Sequence, residues 1–175
     1  MIEVVIDSIR VSLMSQERLV VLLDPDSDRY LPVWIGPCEA DAITLELQEK
    51  MRPRPLTHDL LRNIIGSMEG RVLHVVIRSL RKDIFHALIV IEVGDRRLEI
   101  DSRTSDAIAL AVRTRSPIFV DDEVMSEAGI RREGDIEDEL GSAGEEGEEE
   151  TLGVFEDFLD TLDLDDLEDD DQAPA

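Results

Sequence analysis

The sequence predicts a single compact, β-rich α+β domain over residues 1–130, followed by a disordered acidic tail over residues 131–175. Three observations predict it. Short runs of valine, isoleucine and leucine recur between turn-forming clusters, as strands do. A ββα element is duplicated at a constant offset of 65 residues. The charge is split along the chain. The whole sequence carries 18 basic and 42 acidic residues, a net −24. Residues 1–130 hold 16 basic and 22 acidic residues, a balance of −6, whereas residues 131–175 hold 2 and 20, a balance of −18.

Several classes are excluded at this level. No apolar run approaches the roughly 20 residues of a membrane span. The start, Met1-Ile2-Glu3-Val4, lacks the basic opening of a secretory signal. Cys38 is the only cysteine, so no intrachain disulfide forms. A cytoplasmic location is the expectation. Aromatic residues are 3% of the chain, so the core is aliphatic and an aromatic base-stacking platform is not expected.

The elements follow in order. Val4–Val11 mixes a β-branched run with alternation, and Leu19–Leu23 is a continuous apolar run suited to a strand buried on both faces. Asp24-Pro25-Asp26-Ser27-Asp28 is a turn, and Tyr30–Ile35 is the returning strand, with Trp34 expected in the core. Pro32 cannot donate a ladder hydrogen bond, which predicts an edge position or a strand start. Residues 39–50 form a helix with Ala40, Ile43 and Leu47 on one face. Arg52-Pro53-Arg54-Pro55 is extended. Thr57 caps a second helix with Asp59 in its first turn and an apolar stripe of Leu60, Leu61, Ile64, Ile65 and Met68.

A second group of strands is expected at 71–79, 85–93 and 97–101. A helix then starts near Thr104 and runs through Val112. It is apolar almost all round, which places it centrally, with Arg113 and Arg115 suited to its C-terminal dipole. Ile118-Phe119-Val120 is a last strand, and a short helix includes 124–128. The repeat lies within this order: Ile35–Leu47 overlays Ile100–Val112, so Asp41-Ala42-Ile43-Thr44-Leu45 matches Asp106-Ala107-Ile108-Ala109-Leu110.

Three motifs resemble those of the bifunctional nuclease domain family. They are Leu31-Pro32-Val33-Trp34-Ile35-Gly36-Pro37 with Glu39-Ala40, Pro53-Arg54-Pro55-Leu56-Thr57-His58-Asp59-Leu60-Leu61, and Asp101–Arg113 followed by Pro117-Ile118-Phe119-Val120. The resemblance covers about residues 1–130 in the right order. It implies a compact α+β domain, commonly a homodimer, and cleavage of both DNA and RNA. Two positions depart from the family pattern: Thr104 stands where proline is frequent, and Cys38 where a bulky apolar residue is expected.

Phosphodiester hydrolysis needs an activated water, a cation on the phosphate and a proton for the leaving oxygen. His58 and Asp59 open a helix just after Arg52 and Arg54, which suits a phosphate at a helix N-terminus with His58 as acid or base. The structural alternative is a cap and a satisfied histidine. Asp101, Arg103, Ser105 and Asp106 lie where a strand meets a helix. Asp101 and Asp106, with Glu39 from the equivalent corner, are candidate ligands for Mg²⁺ or Mn²⁺. Arg103 and Ser105 are candidate substrate ligands, and a local network at the corner is the alternative. His74 and His86 are read as packed or surface residues. The candidate set is thus His58, Asp59, Asp101 and Asp106 for catalysis, and Arg52, Arg54, Arg103 and Ser105 for substrate.

Two functions follow. The first is a nuclease whose hold on DNA or RNA is weak and salt-sensitive, through a groove of Arg52, Arg54, Arg62 and Arg103. The second is a non-catalytic interaction or regulatory domain. In the tail, Leu152, Phe155, Phe158, Leu159 and Leu162 recur at helical spacing among acidic residues. A short amphipathic helix near 152–167, folding on a protein partner or on the domain's own groove, is one reading. A solubilising tail is the other.

Overall fold

A computed structural model describes residues 1–12, 17–50 and 53–131. The element order is β1 (Ile2–Val11), β2 (Arg18–Asp24), β3 (Arg29–Ile35), α1 (Pro37–Leu47), α2 (Thr57–Ser67), β4 (Gly70–Arg81), β5 (Ile84–Val93), β6 (Arg96–Arg103), α3 (Thr104–Thr114), β7 (Ile118–Val120) and α4 (Asp122–Ala128). The strands form one seven-stranded sheet in the order β3-β2-β1-β7-β4-β5-β6. The fold is α+β, as the sequence predicts.

The sheet consists of two antiparallel meanders on either side of β7. This three-residue strand pairs antiparallel with β1 and parallel with β4. The predicted duplication is visible here. Hairpin β2–β3 runs into α1, and hairpin β5–β6 runs into α3. The repeat is one strand longer than the sequence suggests, because β1 and β4 occupy equivalent places in the two meanders.

The strands bury what their patterns promise. Leu19, Val20, Val21 and Leu22 of β2 are all buried. Val20 and Leu22 face the main core, while Leu19 and Val21 pack under Tyr30 and Ile130 on the other face. Ile130 is held there by two backbone hydrogen bonds with Tyr30, both 2.8 Å. A side chain at Gly129 would place Cβ 2.3 Å from the Met125 carbonyl oxygen, so this approach requires glycine. Pro32 lies on the edge strand β3, where its missing N–H costs no ladder bond.

Trp34 differs from expectation. Leu31 and Val33 point into the core, so alternation turns Trp34 to the outer face, where it is exposed.

The helices show how the chain positions charged residues. α1 begins at Pro37, whose missing N–H falls where the helix has no acceptor to use. It buries Ala40 and Ile43 and leaves Leu47 exposed. α2 begins at Thr57, which is helical instead of capping; the Asp59 carboxylate caps by accepting the Leu56 N–H at 2.8 Å. Its apolar stripe divides. Leu61 and Ile65 pack on the core, whereas Leu60, Ile64 and Met68 face outward. The docked face takes only part of the stripe.

α3 is central, as its composition predicts: Ala107–Ala111 are buried against α1, α2 and the strands β4–β6. Thr104 does not cap it, because its hydroxyl donates to the Phe85 carbonyl at 3.1 Å. No helix among the described residues is long and apolar enough to cross a membrane. The acidic tail and the helix expected near 152–167 lie outside the described residues.

Candidate active site at the start of three helices

The first turns of α1 and α2 and the start of α3 each contribute charged side chains to one cluster. Arg103, the residue before α3, donates from Nε to Asp106 Oδ2 at 2.8 Å. Its Nη2 donates to Glu39 Oε1 at 2.7 Å and to Asp106 Oδ1 at 3.2 Å. His58 Nε2 lies 3.0 Å from Asp106 Oδ1. An ionised carboxylate only accepts, so the pairing places a hydrogen on Nε2, and in the neutral imidazole the lone pair is then on Nδ1. Glu39 comes from the first copy of the repeat and Arg103 from the second, so the cluster stands where the two copies meet.

Exposure is graded across it. The side chain of Arg103 is 68% exposed, that of Asp106 29% and that of His58 10%. Burial alone would raise the Asp106 carboxyl, but hydrogen bonds from Arg103 and His58 outweigh it and hold the group below the ordinary carboxylate range. The hydrogen bonds to Asp106 and Glu39 in turn push the Arg103 guanidinium above its ordinary value. The cluster can therefore keep an ionised carboxylate on an imidazole, with a cation open to solvent beside it. Nη1 of Arg103 has no protein partner among the described residues.

Asp59 does something different from its neighbour. Its Oδ2 takes the Leu56 N–H, and its Oδ1 accepts from Arg113 Nε at 2.8 Å. Arg113 is fully enclosed and also donates to the carbonyls of Ala109 and Ala42, at 2.8 and 3.0 Å. This arginine, expected at the helix dipole, is instead a buried tie between α1, α2 and α3. A lone cation on a helix that is otherwise apolar all round is a sequence signal for such a tie, because a buried charge requires partners.

The remaining candidates are dispersed. Asp101 makes no hydrogen bond or ion pair with the cluster; it lines a cavity of about 270 Å³ with Arg78, Arg81 and His86. Ser105 is buried and its hydroxyl has no hydrogen bond among the described residues. Arg54 is exposed in a second cleft, and Arg52 lies outside the described residues. His74 stands edge-on to Phe119 at 5.5 Å, and burial followed by the charge of Arg97 pushes it down.

Mg²⁺ or Mn²⁺ on Glu39, Asp101 and Asp106 does not fit this arrangement. Glu39 and Asp106 both face one guanidinium, and Asp101 is elsewhere. Among the described residues, no group of three or more His, Cys, Asp or Glu side chains is placed to hold a metal ion.

The three sequence motifs thus supply Glu39, His58 and the Arg103–Asp106 pair to a single place. The family profile described as the bifunctional nuclease domain matches residues 20–133, which include every member of the cluster. The chain belongs to the bifunctional nuclease domain family. It is also similar to an uncharacterised protein of Mycobacterium tuberculosis in strains CDC 1551 / Oshkosh and H37Rv. In each the identity is 37% over 157 residues, covering 90% of this chain and 92% of the relative. In this bifunctional nuclease domain the matched segment begins inside β2.

Proposed function

We propose that this bifunctional nuclease domain hydrolyses phosphodiester bonds in DNA and RNA at the cluster of Glu39, His58, Arg103 and Asp106. One observation carries the reading: an imidazole–carboxylate pair beside an exposed guanidinium with a free N–H edge. Arg103 holds a non-bridging phosphate oxygen through Nη1. Asp106 stays ionised and fixes the Nε2–H tautomer of His58. Nδ1 of His58 then takes a proton from water as the water oxygen bonds to phosphorus and the bond to the leaving oxygen breaks, the leaving oxygen taking its proton from solvent. Arg103 neutralises the charge that builds on the phosphate, a role worth about 10²–10³ in rate for one such donor.

Nucleic-acid binding is weak and falls steeply with salt, because the domain carries a balance of −6 and affinity comes largely from phosphate neutralisation. A second reading rests on the same contacts. Arg103 is already matched by two carboxylates, so the network also serves to lock α1, α2 and α3 in a non-catalytic interaction domain.

Cleavage of labelled RNA and DNA by the purified protein and its Arg103→Lys variant, each with and without EDTA, separates the two. A lysine cannot reach both carboxylates and a phosphate. The variant is expected to lose about 10²–10³ in rate on both substrates. No cleavage by either protein favours the interaction reading, and equal measurable rates place the hydrolysis away from Arg103. Loss of cleavage in EDTA would overturn the metal-free reading of the cluster.

A further inference from the structure

The sequence groups Arg54, Arg62 and Arg103 in one groove; the structure separates them. Arg103 belongs to the cluster, whereas Arg54 and Arg62 line a second cleft of about 660 Å³, joined there by Lys50 from the end of α1 and Arg115 from the end of α3. None of these four cations is in an ion pair among the described residues, and all four are exposed. The carboxylates lining the cleft are Glu46, Glu49 and Asp59, and Asp59 is already matched by the buried Arg113 beneath. The cleft is therefore locally cationic on a domain that is acidic as a whole.

The two places are neighbours through one dipeptide. His58 reaches the cluster, and Asp59, the next residue, lines the cleft. They are also ordered along α3, with Arg103 just before its first residue and Arg115 just after its last. Twelve helical steps of about 1.5 Å set these ends roughly 18 Å apart. At about 3.4 Å per nucleotide along a stacked, helical strand, that is about five nucleotides.

We propose that the cleft holds the non-scissile stretch of a nucleic-acid strand, with its phosphates on Arg54, Arg62 and Arg115, about five nucleotides from the phosphate at Arg103. Guanidinium forks match phosphate oxygens in pairs, which a lysine-only patch does not. Pro53, Pro55 and Leu47 give the cleft apolar faces for sugars and bases. This inference rests on the nucleic-acid reading of the cluster, but it is a claim about binding and is tested without cleavage.

The test is fluorescence anisotropy of labelled single-stranded RNA, 4 and 12 nucleotides long, with the full chain across a salt series. The 12-mer spans both places and the 4-mer does not. The variant is Arg54→Ala/Arg62→Ala/Arg115→Ala, and the control, with the same charge change on exposed residues of β4, is Arg71→Ala/Arg78→Ala/Arg81→Ala. Three single-strand phosphate contacts at about 0.7 each predict that the cleft variant lowers the slope of log K against log salt by about 2. The 4-mer fits within the cleft, so its slope should fall in the same variant, and the control variant should keep its slopes.

An unchanged 12-mer slope in the cleft variant overturns the proposal, as does an equal fall in the control. Tighter 12-mer binding by the cleft variant also overturns it, and assigns the cleft to the chain's own acidic segment 132–175. If the wild-type chain cleaves nothing yet the slope falls by about 2 in the cleft variant alone, the cleft stands and the hydrolytic reading falls.

Discussion

Removing the Asp59 carboxylate tests whether this residue is structural or chemical. Arg113 is 0% exposed and Asp59 11%, so Asp59→Ala leaves a guanidinium enclosed with only two carbonyls for company. Breaking a buried pair from one side costs about 3–5 kcal/mol, because the surviving charge is left uncompensated. The lost cap on Leu56 N–H adds to the same direction, at about 1 kcal/mol. For a domain of this size, a loss of 3–5 kcal/mol corresponds to a fall in melting temperature of roughly 10–20 °C. The assay is urea unfolding followed by circular dichroism, on Asp59→Ala, Arg113→Met and the double variant. The double variant removes both charges and should recover much of the single-variant loss, since well-packed apolar replacements of buried pairs are often neutral. A loss below about 1 kcal/mol for Asp59→Ala, or a double variant whose loss is the sum of the two singles, refutes the buried-tie account.

Acid should weaken the domain partly through Asp106. Its carboxyl lies below the ordinary value in the folded chain, so its contribution is complete above about pH 4 and is lost as pH falls further through the folded value. Urea midpoints between pH 7 and pH 3 should therefore fall less steeply at the acid end in Asp106→Asn. Asp24 keeps part of the slope, since the Ser27 hydroxyl, the Asp26 N–H and Arg29 hold it low despite its burial. An identical acid limb in Asp106→Asn and wild type would remove Asp106 from that account. Leu110→Ala opens a cavity in the fully buried face of α3 and should cost about 2–5 kcal/mol by the same unfolding assay; a cost below about 1 would mean that α3 is not central.

Much of this architecture was legible in the residues because it is local. β2 reads as buried on both faces from five consecutive apolar residues, and α3 reads as central because polar residues are absent from its middle. The repeat at offset 65 correctly placed a hairpin before each of two helices. Trp34 was misplaced because composition favours a buried tryptophan while alternation with Leu31 and Val33 decides the face. The α2 stripe was read too wide for the same reason that isolated helices are ambiguous: only docking selects Leu61 and Ile65.

The site was legible as an inventory and not as a geometry. His58 and Asp106 are 48 residues apart, and Glu39 and Arg103 are 64 apart, separations that no local pattern encodes. The repeat aligned Asp41 with Asp106, and Glu39 was the candidate from that corner. Asp41 is exposed, and Glu39, two residues earlier, accepts a hydrogen bond from Arg103. Neighbours in sequence also part company. Asp59 leaves His58 for a buried arginine, and Asp101 leaves Arg103 for another cavity.

The central claim is that His58, oriented by Asp106, moves the proton in phosphodiester hydrolysis. The most direct measurement is the single-turnover cleavage rate of labelled RNA by wild type and His58→Gln, alongside their melting temperatures. Glutamine keeps a hydrogen bond to Asp106 but has no base to offer. The account predicts a fall of about 10²–10⁴ in rate with the fold intact. Cleavage by His58→Gln at the wild-type rate would contradict it.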